Sequence, residues 1–295
     1  MKNTSVKDLK KIANNIRKDI ITEVYTAQSG HPGGALSIAD ILTVLYFNQM
    51  NINPKDPNSN LRDRLVLSKG HASPALYAAL AERGFFDKSE LKTFRKLGSK
   101  LQGHPDMKKV PGVDMTSGSL GQGLSIANGM AMASKMDNLG CRVYCIIGDG
   151  ESEEGQIWEA TMSASKYKLD NLCVILDNNN LQIDGTIEDV KGLDGIASKW
   201  ESFGFNVIVA NGNDIDSLIS AFNCARQKKY VPSIIIAKTT KGKGISFMEN
   251  ECGWHGKAPN KEQYELAMKE LEEKDEQIKR GLELLPRKGI GDIWI

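Results

Sequence analysis

Arg142-Val-Tyr-Cys-Ile-Ile-Gly-Asp-Gly-Glu151 and, further on, Leu172-Cys-Val-Ile-Leu-Asp-Asn-Asn179 decide the fold of this chain. Each opens on a short run of apolar and β-branched residues, the pattern of a strand buried on both faces of a parallel sheet. Between them, Glu151–Lys168 carries Ile157, Ala160, Ala164 and Tyr167 at helical spacing. The three pieces make a βαβ unit. It sets Asp149 and Asn179, thirty residues apart, at the carboxyl ends of its two strands, where open α/β sheets bind ligands. A carboxylate and a carboxamide there suit a hard divalent cation such as Mg²⁺, which keeps waters and takes further ligands from a substrate diphosphate.

The alternation continues on both sides. Ser5-Val-Lys-Asp8 is a capping box for a helix with Leu9, Ile12, Ile16 and Ile20 on one face. That helix stops near Ser29-Gly-His-Pro-Gly-Gly34, where glycines and a proline interrupt helical hydrogen bonding. A helix at about Leu36–Asn48, a strand at Arg64–Ser68 and a helix at Ala72–Arg83 follow. Ser117-Gly-Ser-Leu-Gly-Gln-Gly123 opens a small-residue helix over Leu124–Lys135. Beyond the βαβ unit come a helix at 191–203, strand Asn206–Ala210, helix Asp214–Lys228 and strand Ser233–Lys238. The expected fold is α/β, a mostly parallel sheet with helices on both faces. Residues 1–295 read as a single domain, with a charged, amphipathic helical extension at about 261–295 that is a flanking element and not a site.

With 38 Lys plus Arg against 37 Asp plus Glu, the net charge is +1, and no basic stripe interleaved with aromatics suggests nucleic acid. No apolar run is long enough to span a bilayer and the first residues lack a signal-peptide core, so the expected location is cytoplasmic, with no membrane partner. The five cysteines include Cys145 and Cys173 inside expected strands and show no CxxC spacing.

All four histidines, His31, His71, His104 and His255, lie in Gly- or Pro-rich loops: Ser29-Gly-His-Pro-Gly33, Ser68-Lys-Gly-His-Ala-Ser-Pro74, Gly103-His-Pro-Asp106 and Cys252-Gly-Trp-His-Gly256. Loops on a rigid scaffold concentrate functional groups, and histidine suits proton transfer and bonding to phosphate or sugar hydroxyls. Zinc finds no support, since neither HxxxH nor HxH spacing occurs. A nicotinamide site would rest on Gly121-Gln-Gly123 alone, without a third glycine or a preceding strand.

In series, SGHPGG, SKGHASPALYA, GHPD, SGSLGQGLS, GDGESEEGQIWEA, DNNNLQIDG and KGKGISFMENECGWHGKAP resemble the N-terminal, diphosphate-binding region of transketolase, from about residue 8 to 265. The related 1-deoxyxylulose-5-phosphate synthase shares the GDG…NN pair but not, as a rule, SGHPG or GHPD. The resemblance implies thiamine diphosphate as cofactor, with Mg²⁺ (Ca²⁺ or Mn²⁺ as substitutes) held by Asp149, Asn179 and the Leu181 carbonyl. It implies that Gly150, His71 and His255 bond the diphosphate, and that Gly118, Ser119 and Leu120 lie by the aminopyrimidine. Ser119 stands where many relatives have proline. His31, His104 and His255 would line the channel to the thiazolium and contact sugar hydroxyls, with His104 transferring protons at the donor end. Glu154 and Glu159 match acidic positions at the subunit interface near the partner's catalytic glutamate; the plainer alternative is helix-surface carboxylates, with Glu154 favourable in a first turn.

The family's glutamate that protonates the aminopyrimidine, and most arginines that clamp the sugar phosphate, belong to a middle region that this chain lacks. Either the chain is the first half of a longer polypeptide, or the enzyme is naturally split; Met1 and the closing stretch Gly289-Ile-Gly-Asp-Ile-Trp-Ile295 favour the split. The expected assembly is then an α2β2 heterotetramer with a C-terminal, pyrimidine-binding subunit, and its substrates are sugar phosphates. The expected reaction carries a two-carbon ketol unit from xylulose 5-phosphate to ribose 5-phosphate or erythrose 4-phosphate. Alternatives are a specialised split enzyme with apulose 4-phosphate or sulfofructose as donor, and a non-catalytic subunit retaining the fold.

Overall fold

A computed structural model describes residues 4–281; the expected extension beyond 281 lies outside them. The first helix, α1 (Val6–Ala27), starts where Ser5 Oγ accepts the Asp8 N–H at 3.1 Å. Leu9, Ile16 and Ile20 are buried as the spacing requires, and Ile12 is partly buried against the same core. Then come α2 (Pro32–Ser37), α3 (Ala39–Val44), β1 (Arg64–Leu67), α4 (Ser73–Arg83), α5 (Gln122–Met136) and β2 (Val143–Gly148). They are followed by α6 (Gly155–Lys166), β3 (Leu172–Asn178), α7 (Ile187–Val190), α8 (Ile196–Ser202), β4 (Asn206–Asn211), α9 (Ile215–Gln227), β5 (Ser233–Lys238) and α10 (Lys261–Arg280).

The five strands form one parallel sheet in the order β1-β2-β3-β5-β4. Gly148 pairs with Asp177 and Asn178 with Lys238, so the ends of β2, β3 and β5 finish side by side. Along β2, Tyr144 and Ile146 enter one core with Leu36, Ile41, Leu76 and Phe222, while Val143, Cys145 and Ile147 enter a second core with Leu124, Ile157 and Trp200. Both faces being covered, every position is apolar and no period of two is visible in the sequence. Cys145 and Cys173 are buried thiols, and all five cysteines are free. Among the described residues no helix is long and apolar enough to cross a membrane.

The structure corrects three element expectations. The helix expected over Leu36–Asn48 is α2, α3 and a π-helical stretch at Leu45–Gln49. Ser37 Oγ donates back to the Gly34 carbonyl at 3.0 Å, and the break follows at Ile38. The helix expected at 191–203 holds only over α8, because Gly192 (φ 84°) and Gly195 (φ 64°) take left-handed conformations. In the βαβ unit Glu154 is extended (ψ 131°), so a 3₁₀ turn at Gly150–Glu153 precedes α6, and Tyr167 falls exposed beyond the helix end. Helix α10 packs on α1 through buried Ala267 and Leu271 and by Asn14 Nδ2 donating to the Leu271 carbonyl at 2.7 Å.

Candidate active site

The loops that carry the histidines converge beside the carboxyl ends of β1, β2, β3 and β5. The rings of His31, His71 and His255 form a triangle with centroids 5.2, 5.5 and 5.3 Å apart. Missing side chains make this approach possible. A Cβ on Gly33 would lie 2.9 Å from the Trp254 carbonyl, and one on Gly70 would lie 2.6 Å from Ser117 Oγ. His104 stands apart from the triangle as an exposed ring, stacked on Gly118, where an added Cβ would meet its ring at 3.4 Å.

All four imidazoles are held neutral at pH 7. Burial, then the charges of Arg95, His104 and Lys241, pushes His31 down to about 4. His71 is pushed to about 2 by burial and then Lys69, and His255 to about 4 by burial and then Lys241. Burial and Arg95 lower His104. Neutral rings offer one donor and one acceptor each, and His31 Nδ1 is buried with no hydrogen-bond partner among the described residues.

Asp149 is buried at the end of β2. Its Oδ1 accepts the Gly150 N–H at 2.9 Å and its Oδ2 the Asn180 N–H at 2.6 Å. Burial, and then the neighbouring charge of Asp177, pushes its pKa up to about 6, and among the described residues no ammonium or guanidinium pairs with it. Asn179 Nδ2 donates to Asp177 Oδ2 at 2.9 Å, while its Oδ1 accepts the Leu181 N–H at 3.1 Å. The Leu181 carbonyl accepts from Lys241 Nζ at 3.2 Å, which leaves a second lone pair. This set fits a hard cation, since a buried carboxylate with no direct ion-pair partner among the described residues lies near a carboxamide of fixed orientation. Among the described residues no group of three His, Cys, Asp or Glu could hold a metal ion.

The turns after β1, before α5 and after β2 are tied together by Glu151. Its Oε1 accepts the Gly121 N–H at 2.8 Å and the Ser68 hydroxyl, and its Oε2 accepts the Gly148 N–H at 3.1 Å. The Gly150 N–H is turned onto Asp149. Gly118, Ser119 and Leu120 are exposed, Leu120 by 39%. Glu154 and Glu159 are also exposed, and no contact joins either to the histidine triangle.

Three residues that the sequence reading passed over organise the site. Asp177, with no solvent exposure, accepts at Oδ2 from Ser37 Oγ (2.6 Å), Lys69 Nζ (2.5 Å) and Asn179 Nδ2, and at Oδ1 from the Thr239 hydroxyl. Lys69 Nζ also donates to the Gly34 carbonyl at 2.8 Å, joining the His71 loop to the His31 loop. Lys241 Nζ reaches the Leu181 and Gln182 carbonyls, both at 3.2 Å, and lies 3.1 Å from His255 Nδ1. Their signal was present in the lysines of Ser68-Lys-Gly-His71 and Lys241-Gly-Lys-Gly244, since cations in glycine turns at strand ends suit an anionic ligand.

Residues 9–277 match the family described as transketolase, thiamine diphosphate binding domain. The chain is 44% identical over 264 residues to one subunit of the apulose-4-phosphate transketolase of Phocaeicola vulgatus, covering 90% of this chain and 94% of that protein. It is 46% identical over 265 residues to the 6-deoxy-6-sulfo-D-fructose transketolase subunit SqwG of a Clostridium species, covering 90% and 96%. Human transketolase is 44% identical over 264 residues, but there the match spans 89% of this chain and only 42% of the human protein. The solved transketolase of Campylobacter jejuni superposes with a TM-score of 0.85 at 34% identity, over 95% of this chain and 46% of that one.

Proposed function

Because the chain belongs to the transketolase family, through its thiamine diphosphate-binding domain, we propose that it is the diphosphate-binding subunit of a split transketolase. The reaction would transfer a two-carbon ketol unit from xylulose 5-phosphate to ribose 5-phosphate or erythrose 4-phosphate. A separate pyrimidine-binding subunit would complete the site in an α2β2 assembly. The observation that carries this reading is the neutral triangle of His31, His71 and His255 beside the Asp149–Asn179 pair. The split is supported by the near-complete match to two proteins that are themselves named subunits.

Bound thiamine diphosphate supplies a carbon nucleophile that also accepts the electrons of the cleaved C–C bond. In this chain, Asp149, Asn179 and the Leu181 carbonyl would hold Mg²⁺. His71 and His255 would bond the diphosphate, with Lys241 beside His255 adding positive charge toward it, and Gly150 would join them by giving up the bond from its N–H to Asp149. The Gly118–Leu120 segment would lie against the aminopyrimidine. His31 and His255, neutral and tightly placed, would bond sugar hydroxyls. The exposed His104 ring would hold or release the proton at the donor's end, and its lowered pKa leaves it free to accept one at pH 7. Glu154 and Glu159 would face the partner subunit.

A second reading keeps the site and changes the donor to apulose 4-phosphate or 6-deoxy-6-sulfofructose, and the two relatives named for those sugars favour it. A donor panel run with the partner subunit present separates the two. Turnover of xylulose 5-phosphate far above the other ketoses supports the first reading; preference for apulose 4-phosphate or sulfofructose replaces it with the second.

A further inference from the structure

We propose that Asp177 is the positioning residue that fixes which end of the Asn179 carboxamide is offered to the metal, an inference that rests on the function proposed above. An amide presents oxygen or nitrogen according to its partners, and only the oxygen can ligate a cation. Asn179 sits between two groups of opposite kind. The Asp177 carboxylate, which accepts from Ser37, Lys69 and Thr239, also takes Nδ2–H at 2.9 Å, while the Leu181 N–H is donor-only and bonds Oδ1 at 3.1 Å. Flipping the amide would set its NH₂ against the Leu181 N–H and its oxygen against the Asp177 carboxylate, both repulsive.

Asp177 is itself immobile. It is fully buried at the end of β3, where it pairs in register with Gly148, the residue before Asp149. Lys69 balances its charge, and Ser37 and Thr239 take its remaining acceptor sites. These partners come from the last residue of α2, the loop after β1 and the loop after β5. The orientation of one metal-facing amide is thereby locked to segments that adjoin His31, His71 and Lys241. Such outer partners of a ligand are worth about 10–100-fold in metal affinity when removed.

The test measures Mn²⁺ binding, by electron paramagnetic resonance of free Mn²⁺, with thiamine diphosphate saturating and the partner subunit present. Asp177→Leu combined with Lys69→Met removes the buried ion pair as a unit, an exchange that buried pairs often tolerate. This double variant should fold by circular dichroism and bind Mn²⁺ about 10–100-fold more weakly than the parent. Adding Asn179→Asp should restore binding to within roughly threefold, because a carboxylate offers an oxygen whichever way it turns. A purely structural role for Asp177 would not be rescued this way. Parental affinity in the double variant, or no recovery in the triple, overturns the proposal. If the double variant does not fold, Asp177→Asn decides: its carbonyl can still accept from Asn179, so binding should stay within about tenfold of the parent, and a greater loss overturns the proposal. A parent that binds no Mn²⁺ with the cofactor present overturns the functional reading and this inference with it. Parental binding with an unaffected double variant overturns this inference alone.

Discussion

Replacing Glu23 with Met should stabilise this protein, and more so at pH 8 than at pH 5. Glu23 lies on the core side of α1 with 0% exposure, and neither carboxylate oxygen has a hydrogen-bond partner among the described residues. Burial, and then the charge of Asp19, pushes its pKa well above the carboxylate range. Asp19 is pushed up to about 7, mainly by burial, although Lys88 lies 2.8 Å away; Glu82, which shares Lys88, adds to the rise. An acid whose pKa is higher folded than unfolded contributes stability that is complete below its unfolded pKa and lost as pH rises through the folded one. For Asp19 that window runs from 3.8 to about 7, and Glu23 adds a loss in the same direction. An unsatisfied buried polar group costs about 1–3 kcal/mol, and methionine fills nearly the same volume without it. The Glu23→Met protein should therefore gain about 1–3 kcal/mol in urea unfolding at pH 8, or roughly 2–10 °C in Tm, with a smaller gain at pH 5. An unchanged or lower urea midpoint at pH 8, or a gain no larger there than at pH 5, would refute the reasoning.

Two further outcomes follow from the site. His104→Asn should lower kcat for ketol transfer by roughly 10²–10⁴ while leaving thiamine diphosphate affinity near that of the parent, because the hydrogen bonds that hold Asp149, Asn179 and His255 do not involve its ring; equal losses in both, measured by steady-state kinetics and calorimetry, would contradict this. Lys241→Met should raise the His255 pKa from about 4 toward, but not to, its ordinary 6.5, since burial remains the larger cause after the ammonium at 3.1 Å is gone; an imidazole NMR titration reads the shift directly.

Much of this architecture is legible along the chain because its strands are short, apolar and bounded by glycine. Val143–Gly148 and Leu172–Asn178 are strands over nearly the expected bounds, and Asp149 and Asn179 fall at their carboxyl ends. The histidine loops, scattered from His31 to His255, announce function through their glycines, but their convergence is a property of the sheet order. Nothing in sequence spacing places His255 within 5.5 Å of His31. The helix boundaries that failed did so at Ser37, Gly192, Gly195 and Glu154, where a side-chain bond, left-handed glycines or an extended residue overrides an apolar pattern. Lys69, Asp177 and Lys241 went unread for a different reason. A charged residue beside a strand end looks solvated in sequence, and only burial against other loops makes it an organising group.

The most direct test of the central claim is ketol transfer from xylulose 5-phosphate to ribose 5-phosphate with thiamine diphosphate and Mg²⁺. It is to be run on the purified chain alone, and again with the pyrimidine-binding subunit. Turnover only in the mixture is the predicted result. Substantial turnover by the chain alone would contradict the reading of a split enzyme, and a mixture that binds no thiamine diphosphate would contradict the site itself.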